Sequence, residues 1–497
     1  MPASESYVAF DLGAESGRAM LGTLTGDRLE VQEVHRFANT PVRVISGLHW
    51  DVLRLWEELK NGLVRAKASG GGELSGIGLD TWGVDFCLLD HQGALLGLPY
   101  HYRDQRTEGI IDELRRQISE WELYARTGLP FSPVNTLCQL AAMRKAGSPA
   151  LDVAQDLLMI SGLFTFWLSG ERAIEATIAG TTQFYDLKAH DWAYTLLENL
   201  HLPFCLLRPV TPTATVLGRL LPAVAEEVGL GQVPIIATAC HDSAAAASVV
   251  PTQEEWPTFI SSGTWSVVGT ELEQPLLTPE ALACHFFNEV GACERIIFVQ
   301  NSMGLWPLQE CRREWLRQGR DWSYAELTQM AAQARPFAAI INPDDPVFFH
   351  PGEMTARIAD YCQSTGQELP ATPGSLVRSL LEGLALRYRQ GIEDLERLTG
   401  RPTKTIHILG GGSRNALLCQ FTADAAGKPV LADPAEATAT ATILLQALAR
   451  KRFASLVEVR EVVARSSALL YYDPHPSDAW DEAYVRFRRL AGLGTDQ

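Results

Sequence analysis

Apolar and polar positions along the chain predict the same series of elements in both halves. Near the start, apolar runs at about 6–12, 18–25 and 29–37 predict three strands. A helix is predicted next, at about 52–68, because apolar residues recur there at helical spacing. The second half begins a hairpin of its own at Thr258.

The later part of the second half continues this series. An apolar stripe predicts a long amphipathic helix at about 375–399, which Gly400 ends. The strand that starts at Thr405 enters the glycine loop Gly410–Asn415, and a helix follows it to about Ala426. Hairpin, helix, strand and loop therefore occur twice in one order, which predicts a duplicated α/β architecture.

Polar residues also stand at the ends of two predicted strands. The strand Leu74–Leu79 leads into Asp80–Asp85, and the strand Val233–Ala239 leads into His241–Ser243. Open α/β sheets bind ligands at such carboxyl ends. The stretch Val250–Pro257 is the best candidate for a domain junction.

Length and charge narrow the class of protein. At 497 residues the chain is too long for one ordinary core, so two large domains are expected. The formal net charge of −17 argues against non-specific binding to nucleic acid or to an anionic membrane. The sequence has no apolar run of 18 residues and no signal-peptide pattern at its start, which predicts a cytoplasmic protein. Nine cysteines without a CxxC pair predict reduced, mostly buried thiols.

The hairpin Tyr7–Arg18 has the residues of a phosphate-binding loop. Gly13 and Gly17 let backbone amides approach a phosphate chain, and Asp11 can hold a hydrated Mg²⁺. Asp11 taken alone could instead cap its own turn. A similar arrangement recurs at Phe259–Gly269, and two such loops, one in each half, favour a nucleotide site.

A third loop, Gly410–Gly412, lies between a predicted strand and a helix N-terminus, where an anion or nucleotide can bind. An ordinary strand-to-helix turn explains this loop equally well. Neither GxxxxGK[ST] nor GxGxxG occurs, so P-loop and dinucleotide-binding folds lose their main support.

Asp242 is the sharpest catalytic candidate. It follows a buried strand beside His241, so its carboxylate can accept the proton of a hydroxyl that attacks a phosphoryl group. It could equally cap the alanine-rich helix at Ala244–Ala247. His241 suits either a structural hydrogen bond or contact with a polyol. A further polar cluster suits either sugar hydroxyls or a solvated patch of ion pairs. It consists of Asp85, Tyr102, Arg103, Asp104 and Arg106.

Several stretches of the sequence resemble the FGGY family of carbohydrate kinases, within the actin/hexokinase/Hsp70-like superfamily. The stretches are DLGAESGR (11–18), GIGLDTWGVDFCLLD (76–90), YRDQRT (102–107), HDSAAA (241–246), SSGTWSVVG (261–269), NSMGLWPLQ (301–309) and ILGGGSRNALLCQFTADAAGKPV (408–430). They span nearly the whole chain. TWGVDF, SSGTWS and MGLW are similar to the branch of the family whose substrate is L-rhamnulose.

The resemblance implies an α/β fold of two ribonuclease H-like (actin-like ATPase) domains with a central interdomain cleft. The implied N-terminal domain, 1–247, carries the sugar-binding side and the first phosphate hairpin, and the implied C-terminal domain, 248–497, carries the ATP-binding side. The implied reaction is ATP-dependent phosphorylation of L-rhamnulose at its 1-hydroxyl, with ATP and Mg²⁺ in the cleft. We expect a monomer or small homo-oligomer whose partners are a ketose and ATP, with no nucleic acid and no membrane.

Carried over position by position, the resemblance implies a role for each site residue. Asp242 is the implied general base, and Asp11 keeps the magnesium role given above. The implied sugar contacts are Gly83, His241, Asp242, Ser243 and Asn301. The implied nucleotide contacts are Ala14, Glu15, Ser16, Gly17, Arg18, Thr264, Gln309 and Gly411.

Three departures from the family pattern qualify these roles. Glu15 adds negative charge where the family has a small hydroxyl residue, and Ser243 replaces a threonine. Ala441 and Thr442 stand where the family has a Gly-Asn pair, so we expect modest discrimination of adenine from other bases. The alternatives are an FGGY kinase for L-fuculose or a pentulose, a catalytically silent sugar- or nucleotide-binding homologue, and a dehydrogenase.

Overall fold

The computed structural model describes residues 4–70, 73–433, 436–475 and 477–493. The strands of the first half are β1 (Ser4–Leu12), β2 (Ser16–Thr25), β3 (Arg28–Ala38), β4 (Val42–Val44), β5 (Gly47–His49), β6 (Leu74–Thr81), β7 (Phe86–Leu89), β8 (Asp156–Met159), β9 (Ile174–Glu175), β10 (Tyr185–Asp186), β11 (Asp191–Trp192), β12 (Val210–Thr211), β13 (Thr215–Arg219) and β14 (Pro234–Ala237). Its helices are α1 (Val52–Ala68), α2 (Ile110–Leu114), α3 (Glu120–Thr127), α4 (Thr136–Lys145), α5 (Ala150–Val153), α6 (Ile160–Ser169), α7 (Ala176–Gly180), α8 (Tyr194–Asn199), α9 (Pro222–Val228) and α10 (Asp242–Ser248).

The strands of the second half are β15 (Thr258–Ser262), β16 (Trp265–Leu272), β17 (Phe286–Val290), β18 (Ile296–Met303), β19 (Ile406–Leu409), β20 (Val430–Ala432) and β21 (Leu470–Tyr472). Its helices are α11 (Pro279–Ala283), α12 (Trp306–Arg317), α13 (Tyr324–Gln333), α14 (Met354–Ser364), α15 (Pro373–Thr399), α16 (Ala416–Ala426), α17 (Ala437–Ala449), α18 (Leu456–Ser466) and α19 (Asp478–Leu490). The three predicted N-terminal strands, the hairpin at Thr258 and the long helix at about 375–399 are confirmed.

The chain folds into two compact units, each built from separate segments. The first unit consists of Met1–Gln253, Glu271–Phe298 and Glu436–Ser466. The second unit consists of Glu254–Thr270, Val299–Ala435 and Ser467–Gln497. Strand β17 and helices α11, α17 and α18 of the second half therefore belong to the first unit. The division of the sequence into an N-terminal domain, 1–247, and a C-terminal domain, 248–497, stays a prediction.

The main sheet of the first unit has the strand order β13-β14-β6-β1-β2-β3. β1 and β2 form the predicted antiparallel hairpin, while β6 runs parallel to both β1 and β14. The register places Asp11 of β1 opposite Asp80 of β6, and Thr81 forms a parallel bridge with His241. Because parallel strands end at the same edge, this sheet gathers the polar residues that follow β1, β6 and β14.

Helices α10 and α17 cover the apolar face of this sheet. Both helices are rich in alanine, and their buried residues pack in one core with Tyr7 and Met20 of the sheet. A side chain at Gly22 of β2 would overlap Ile443 of α17, so glycine there allows the close approach of helix and strand. This packing fixes the backbone of α10, which begins at Asp242.

The second unit repeats a hairpin next to parallel strands. β15 and β16 are antiparallel, β19 runs parallel to β15, and β20 runs parallel to β19. Helix α15 begins with a capping box at Thr372 and ends at Gly400, whose φ of 68° is left-handed. The buried Tyr388 hydroxyl of this helix lies 2.8 Å from Ser262 Oγ and 2.7 Å from Ser266 Oγ, which ties α15 to the hairpin. None of the helices in the described parts of the chain combines the length and hydrophobicity needed to span a bilayer.

Candidate active site

Asp11 stands at the end of β1, buried and paired with Arg18. The Arg18 guanidinium also donates to Glu436 at 2.5 Å, so this predicted nucleotide contact is held between two carboxylates. Burial raises the pKa of Asp11, Arg18 opposes that rise, and the charge of Asp242 adds to it. A cation placed beside Asp11 would therefore meet a carboxylate whose negative charge is only partly compensated.

The loop between β1 and β2 is held by backbone hydrogen bonds. Gly13 N donates to Ser16 O at 3.0 Å, and the Asn39 amide side chain donates to Gly13 O at 2.8 Å. Glu15 is exposed, and Ala14 and Ser16 are half-buried. A side chain at Gly17 would overlap the ring of Phe37, so packing alone already requires glycine at this position. Phosphate contact by Ala14 to Arg18 stays a prediction.

Asp80 is fully buried on β6 opposite Asp11. The Thr442 hydroxyl of α17 donates to its Oδ2 at 2.6 Å, while its Oδ1 is buried and has no hydrogen-bond partner. Burial, with the nearby charge of Asp11, raises the pKa of Asp80 well above its usual range. Ala441 and Thr442 are fully buried in the interior of α17. Because both side chains pack inside the first unit, we do not expect them to contact adenine directly, and the modest discrimination of adenine stays a prediction.

His241 and Asp242 are held by the preceding loop and by α7. Cys240 N donates to Glu175 Oε2 and His241 N donates to Thr177 Oγ1, each at 3.1 Å. The Asp242 carboxylate is 36% exposed and accepts from Ser243 N at 2.6 Å. His241, not Asp242, is the N-cap residue of α10, but its side chain makes no capping bond, whereas the Asp242 carboxylate accepts from a first-turn amide of the helix. The carboxylate of Asp242 is therefore fixed on one side and partly open to solvent.

Glu289 of β17 faces His241, and sequence reasoning missed it. His241 Nδ1 lies 3.7 Å from Glu289 Oε2, and His241 Nε2 lies 3.4 Å from Asp242 Oδ1. Burial raises the pKa of Glu289, His241 opposes the rise, and the charge of Asp242 adds to it. The alternating burial of β17 turns Glu289 away from its buried neighbours Asn288 and Val290. The local sequence gives no such signal, because Asn288 is polar and yet buried, so apolar and polar residues do not alternate along β17.

The loop after β6 places Gly83 against Thr181. A side chain at Gly83 would lie 2.8 Å from a Thr181 methyl, and Val84 N donates to Thr181 Oγ1 at 3.0 Å. Val84 has a φ of 68°, a strained value for a β-branched residue. The loop is thus fixed by its contacts with Thr181, and sugar contact by Gly83 stays a prediction.

Asp85 is a buried hydrogen-bond acceptor and not part of a solvated ion-pair patch. It accepts from the indole N–H of Trp50 at 2.6 Å, from that of Trp82 at 3.0 Å and from Gln139 Nε2 at 2.7 Å. Burial raises its pKa to about 6, and these donors oppose the rise. Asp85 therefore holds the side chains of Trp50, Trp82 and Gln139 together.

The second unit holds three of the predicted nucleotide contacts, Thr264, Gln309 and Gly411. Thr264 Oγ1 donates to Gln309 Oε1 at 3.1 Å. A cavity of about 910 Å³ is lined by Gln309 and Gly411, with apolar walls from Leu305 and Leu417. Two tyrosines, Tyr324 and Tyr472, also line it. Asn301 is exposed on β18 in this unit.

Comparison with known proteins decides the family. The models of the N-terminal and C-terminal domains of the FGGY family of carbohydrate kinases match residues 6–248 and 258–450. The chain belongs to the FGGY family of carbohydrate kinases. It is therefore a sugar kinase.

Curated FGGY relatives cover almost the whole chain. A rhamnulokinase of Bacteroides thetaiotaomicron is 38% identical over 97% of this chain and 99% of its own length. A rhamnulokinase of Bacillus subtilis is 35% identical over 95% of this chain and 96% of its own length.

Solved structures of FGGY kinases share the fold. The xylulose kinase from Rhodospirillum rubrum has a TM-score of 0.80 at 20% identity and covers 99% of this chain and 98% of its own. Plasmodium falciparum glycerol kinase with ADP has a TM-score of 0.80 at 14% identity and covers 100% of this chain and 99% of its own. The chain thus has the two-domain α/β fold of FGGY kinases, which is the actin-like ATPase fold.

The residues around Asp11 fit a magnesium ion that is completed by other ligands. Among the residues that the structure describes, no group of three or more His, Cys, Asp or Glu side chains is arranged to hold a metal. Mg²⁺ in kinases is commonly bound through one or two carboxylates, with water and substrate phosphates as the other ligands. Asp11, a single carboxylate at the end of β1, is consistent with that kind of site.

Proposed function

We propose that this chain transfers the γ-phosphoryl group of ATP to the 1-hydroxyl of L-rhamnulose, giving L-rhamnulose 1-phosphate and ADP. The observation that carries the proposal is full-length similarity, at 35–38% identity, to curated relatives that are named rhamnulokinase. The geometry around Asp242 supports it, because an exposed carboxylate stands at the sheet edge beside His241.

Asp242 is the general base in this proposal. Its Oδ1 accepts the Ser243 N–H, so one side of the carboxylate is fixed while the group stays accessible to a sugar hydroxyl. A base held in this way removes the hydroxyl proton as the oxygen attacks phosphorus. We also assign sugar contacts to His241 and Ser243, its neighbours in the chain.

The other sugar contacts in the proposal are Gly83 and Asn301. Gly83 presents backbone at a loop that Thr181 holds in place, and Asn301 offers an exposed amide with donors and an acceptor. Such groups discriminate sugars because a wrong isomer leaves them unpaired.

ATP and Mg²⁺ are the proposed nucleotide and metal. Asp11 would hold Mg²⁺, which neutralises charge on the transferring phosphoryl group when it is bound. We assign the phosphates to residues 14–18 and the nucleoside to Thr264, Gln309 and Gly411. The 910 Å³ cavity beside Gln309 and Gly411 supports the second assignment, since its apolar walls suit a base and ribose.

The experiment incubates the purified protein with Mg-ATP and L-rhamnulose and identifies the product by phosphorus–proton coupling in NMR spectra. Phosphate on carbon 1 couples to the two protons of that carbon, which is the expected result. Phosphate on another carbon, or no sugar phosphate at all, contradicts the proposal. The cytoplasmic location and the monomeric or small homo-oligomeric state stay predictions from the sequence.

A further inference from the structure

The His241 ring lies between two carboxylates of the first unit. Its Nε2 is 3.4 Å from Asp242 Oδ1 and its Nδ1 is 3.7 Å from Glu289 Oε2. The Nδ1 atom is buried and has no hydrogen-bond partner. Each ring nitrogen therefore faces a carboxylate oxygen across a gap slightly longer than a hydrogen bond.

A neutral imidazole cannot satisfy both neighbours at once. It carries one N–H donor and one lone pair, whereas an ionised carboxylate only accepts. One nitrogen must therefore direct its lone pair at a carboxylate oxygen. A second proton on the assembly removes that conflict, because both nitrogens can then donate, or one can accept from a protonated carboxyl.

The carboxylates of Asp242 and Glu289 differ in their other contacts and in their exposure to solvent. Asp242 Oδ1 already accepts from Ser243 N at 2.6 Å, and its side chain is 36% exposed. The Glu289 side chain is 18% exposed, and the neighbouring His241 ring opposes the rise that burial causes in the pKa of Glu289. The resting N–H therefore belongs on Nδ1, directed at Glu289, and the Nε2 lone pair faces Asp242.

The geometry points to Glu289 as a positioning residue that holds His241 with its proton on Nδ1, so that Nε2 accepts the proton which Asp242 removes from the sugar. This inference rests on the proposed function for its kinetics. It adds Glu289, which lies in a different segment of the chain, to the residues around the base.

Protons and electron pairs balance through the relay. The O–H bond of the sugar hydroxyl breaks, and the oxygen electron pair forms the new bond to the γ-phosphorus. The bond from that phosphorus to its bridging oxygen breaks, and ADP leaves with the electron pair. The proton passes to Asp242 and then to His241 Nε2, where Glu289 stabilises the imidazolium. It leaves to water after the product departs.

Other acidic groups lie near His241, Asp242 and Glu289. The charge of Asp242 acts on Asp11 and Asp80, and it raises the pKa of Glu289. Buried Glu175 holds Cys240 N, next to His241. The surroundings of the relay are therefore acidic on more than one side.

The first test reads the histidine ring without any substrate. Nitrogen-15 NMR of histidine-labelled protein distinguishes a protonated Nδ1 from a protonated Nε2, and the His241 signal is assigned by its loss in His241→Gln. We expect the wild-type proton on Nδ1, and a loss of that preference in Glu289→Leu. A wild-type proton on Nε2 overturns the inference, and this measurement does not depend on which sugar is phosphorylated.

The second test is kinetic. Glu289→Gln keeps an acceptor oxygen but removes the charge. We expect kcat to fall about tenfold, which is less than the 10²–10⁴-fold contribution of a general base. KM for the sugar should stay nearly unchanged. Glu280→Gln on α11 removes an exposed carboxylate of the same unit and should leave kcat unchanged. In an Asp242→Asn background, Glu289→Gln should add no further loss.

The outcomes separate this inference from the proposed function. Failure of the wild type to phosphorylate L-rhamnulose contradicts the proposed function, while the NMR arm still tests the ring. Unchanged kcat in Glu289→Gln, or a full additional loss in the Asp242→Asn background, overturns the relay. A fall in kcat in Glu289→Gln but not in Glu280→Gln, with the thermal midpoint retained in both, supports the relay.

Discussion

The Thr442 hydroxyl donates a 2.6 Å hydrogen bond to the buried carboxyl of Asp80, joining α17 to the strand beside β1. Thr442→Val keeps the shape of the side chain but leaves Asp80 Oδ2 without this donor. A buried polar group that loses its partner costs about 1–3 kcal/mol, so the free energy of unfolding should fall by that amount. Urea denaturation measures the change. Thr438→Val, on the same helix but only half-buried, serves as the control, and an equal loss in both variants would contradict the role of this bond.

The buried position of Ala441 and Thr442 also changes what their replacement should do. The double change Ala441→Gly with Thr442→Asn restores the pair found in the family, yet both side chains are fully buried. We expect the ratio of kcat/KM for ATP to that for GTP to stay the same. Stability should fall, because glycine in a helix interior costs up to about 1 kcal/mol relative to alanine. A change in nucleotide preference would show that these positions act on the base after all.

The limits of sequence reasoning follow from these contacts. Periodicity predicted the hairpins and the long helix, because burial of an apolar face leaves a regular local pattern. The apolar run of β14 also indicated that Asp242 lies shortly after a buried strand, while its role as the base stays a prediction. The Asp80–Thr442 bond joins residues 362 positions apart, and Glu289 reaches His241 from another segment. Spacing in one sequence does not encode such pairings.

Asp85 should make stability depend on pH. Burial raises its pKa to about 6 in the folded protein, from a usual value of 3.8, so the folded state keeps a proton that the unfolded state has lost. This stabilisation is complete below about pH 3.8 and is lost as the pH rises to about 6. Asp85→Asn cannot titrate, and its unfolding free energy should fall less between these pH values. Parallel slopes for the two proteins in chemical denaturation would contradict this account of Asp85.

Replacement of the general base should separate chemistry from binding. Asp242→Asn keeps the size of the side chain but cannot accept the hydroxyl proton, so kcat should fall by at least about 10²-fold. Sugar binding, measured by calorimetry, and the thermal midpoint should be retained. Turnover near the wild-type rate would mean that another group accepts the proton.

The central claim is that this FGGY kinase acts on L-rhamnulose, and a coupled ADP-release assay across a panel of acceptors tests it most directly. The panel compares kcat/KM for L-rhamnulose, L-fuculose, D-xylulose and glycerol at one fixed concentration of Mg-ATP. We predict that L-rhamnulose has the highest kcat/KM, because a site built for particular hydroxyls leaves polar groups unpaired with the wrong isomer. A higher value for a pentulose or for glycerol would contradict the assignment of the sugar and leave only the kinase class.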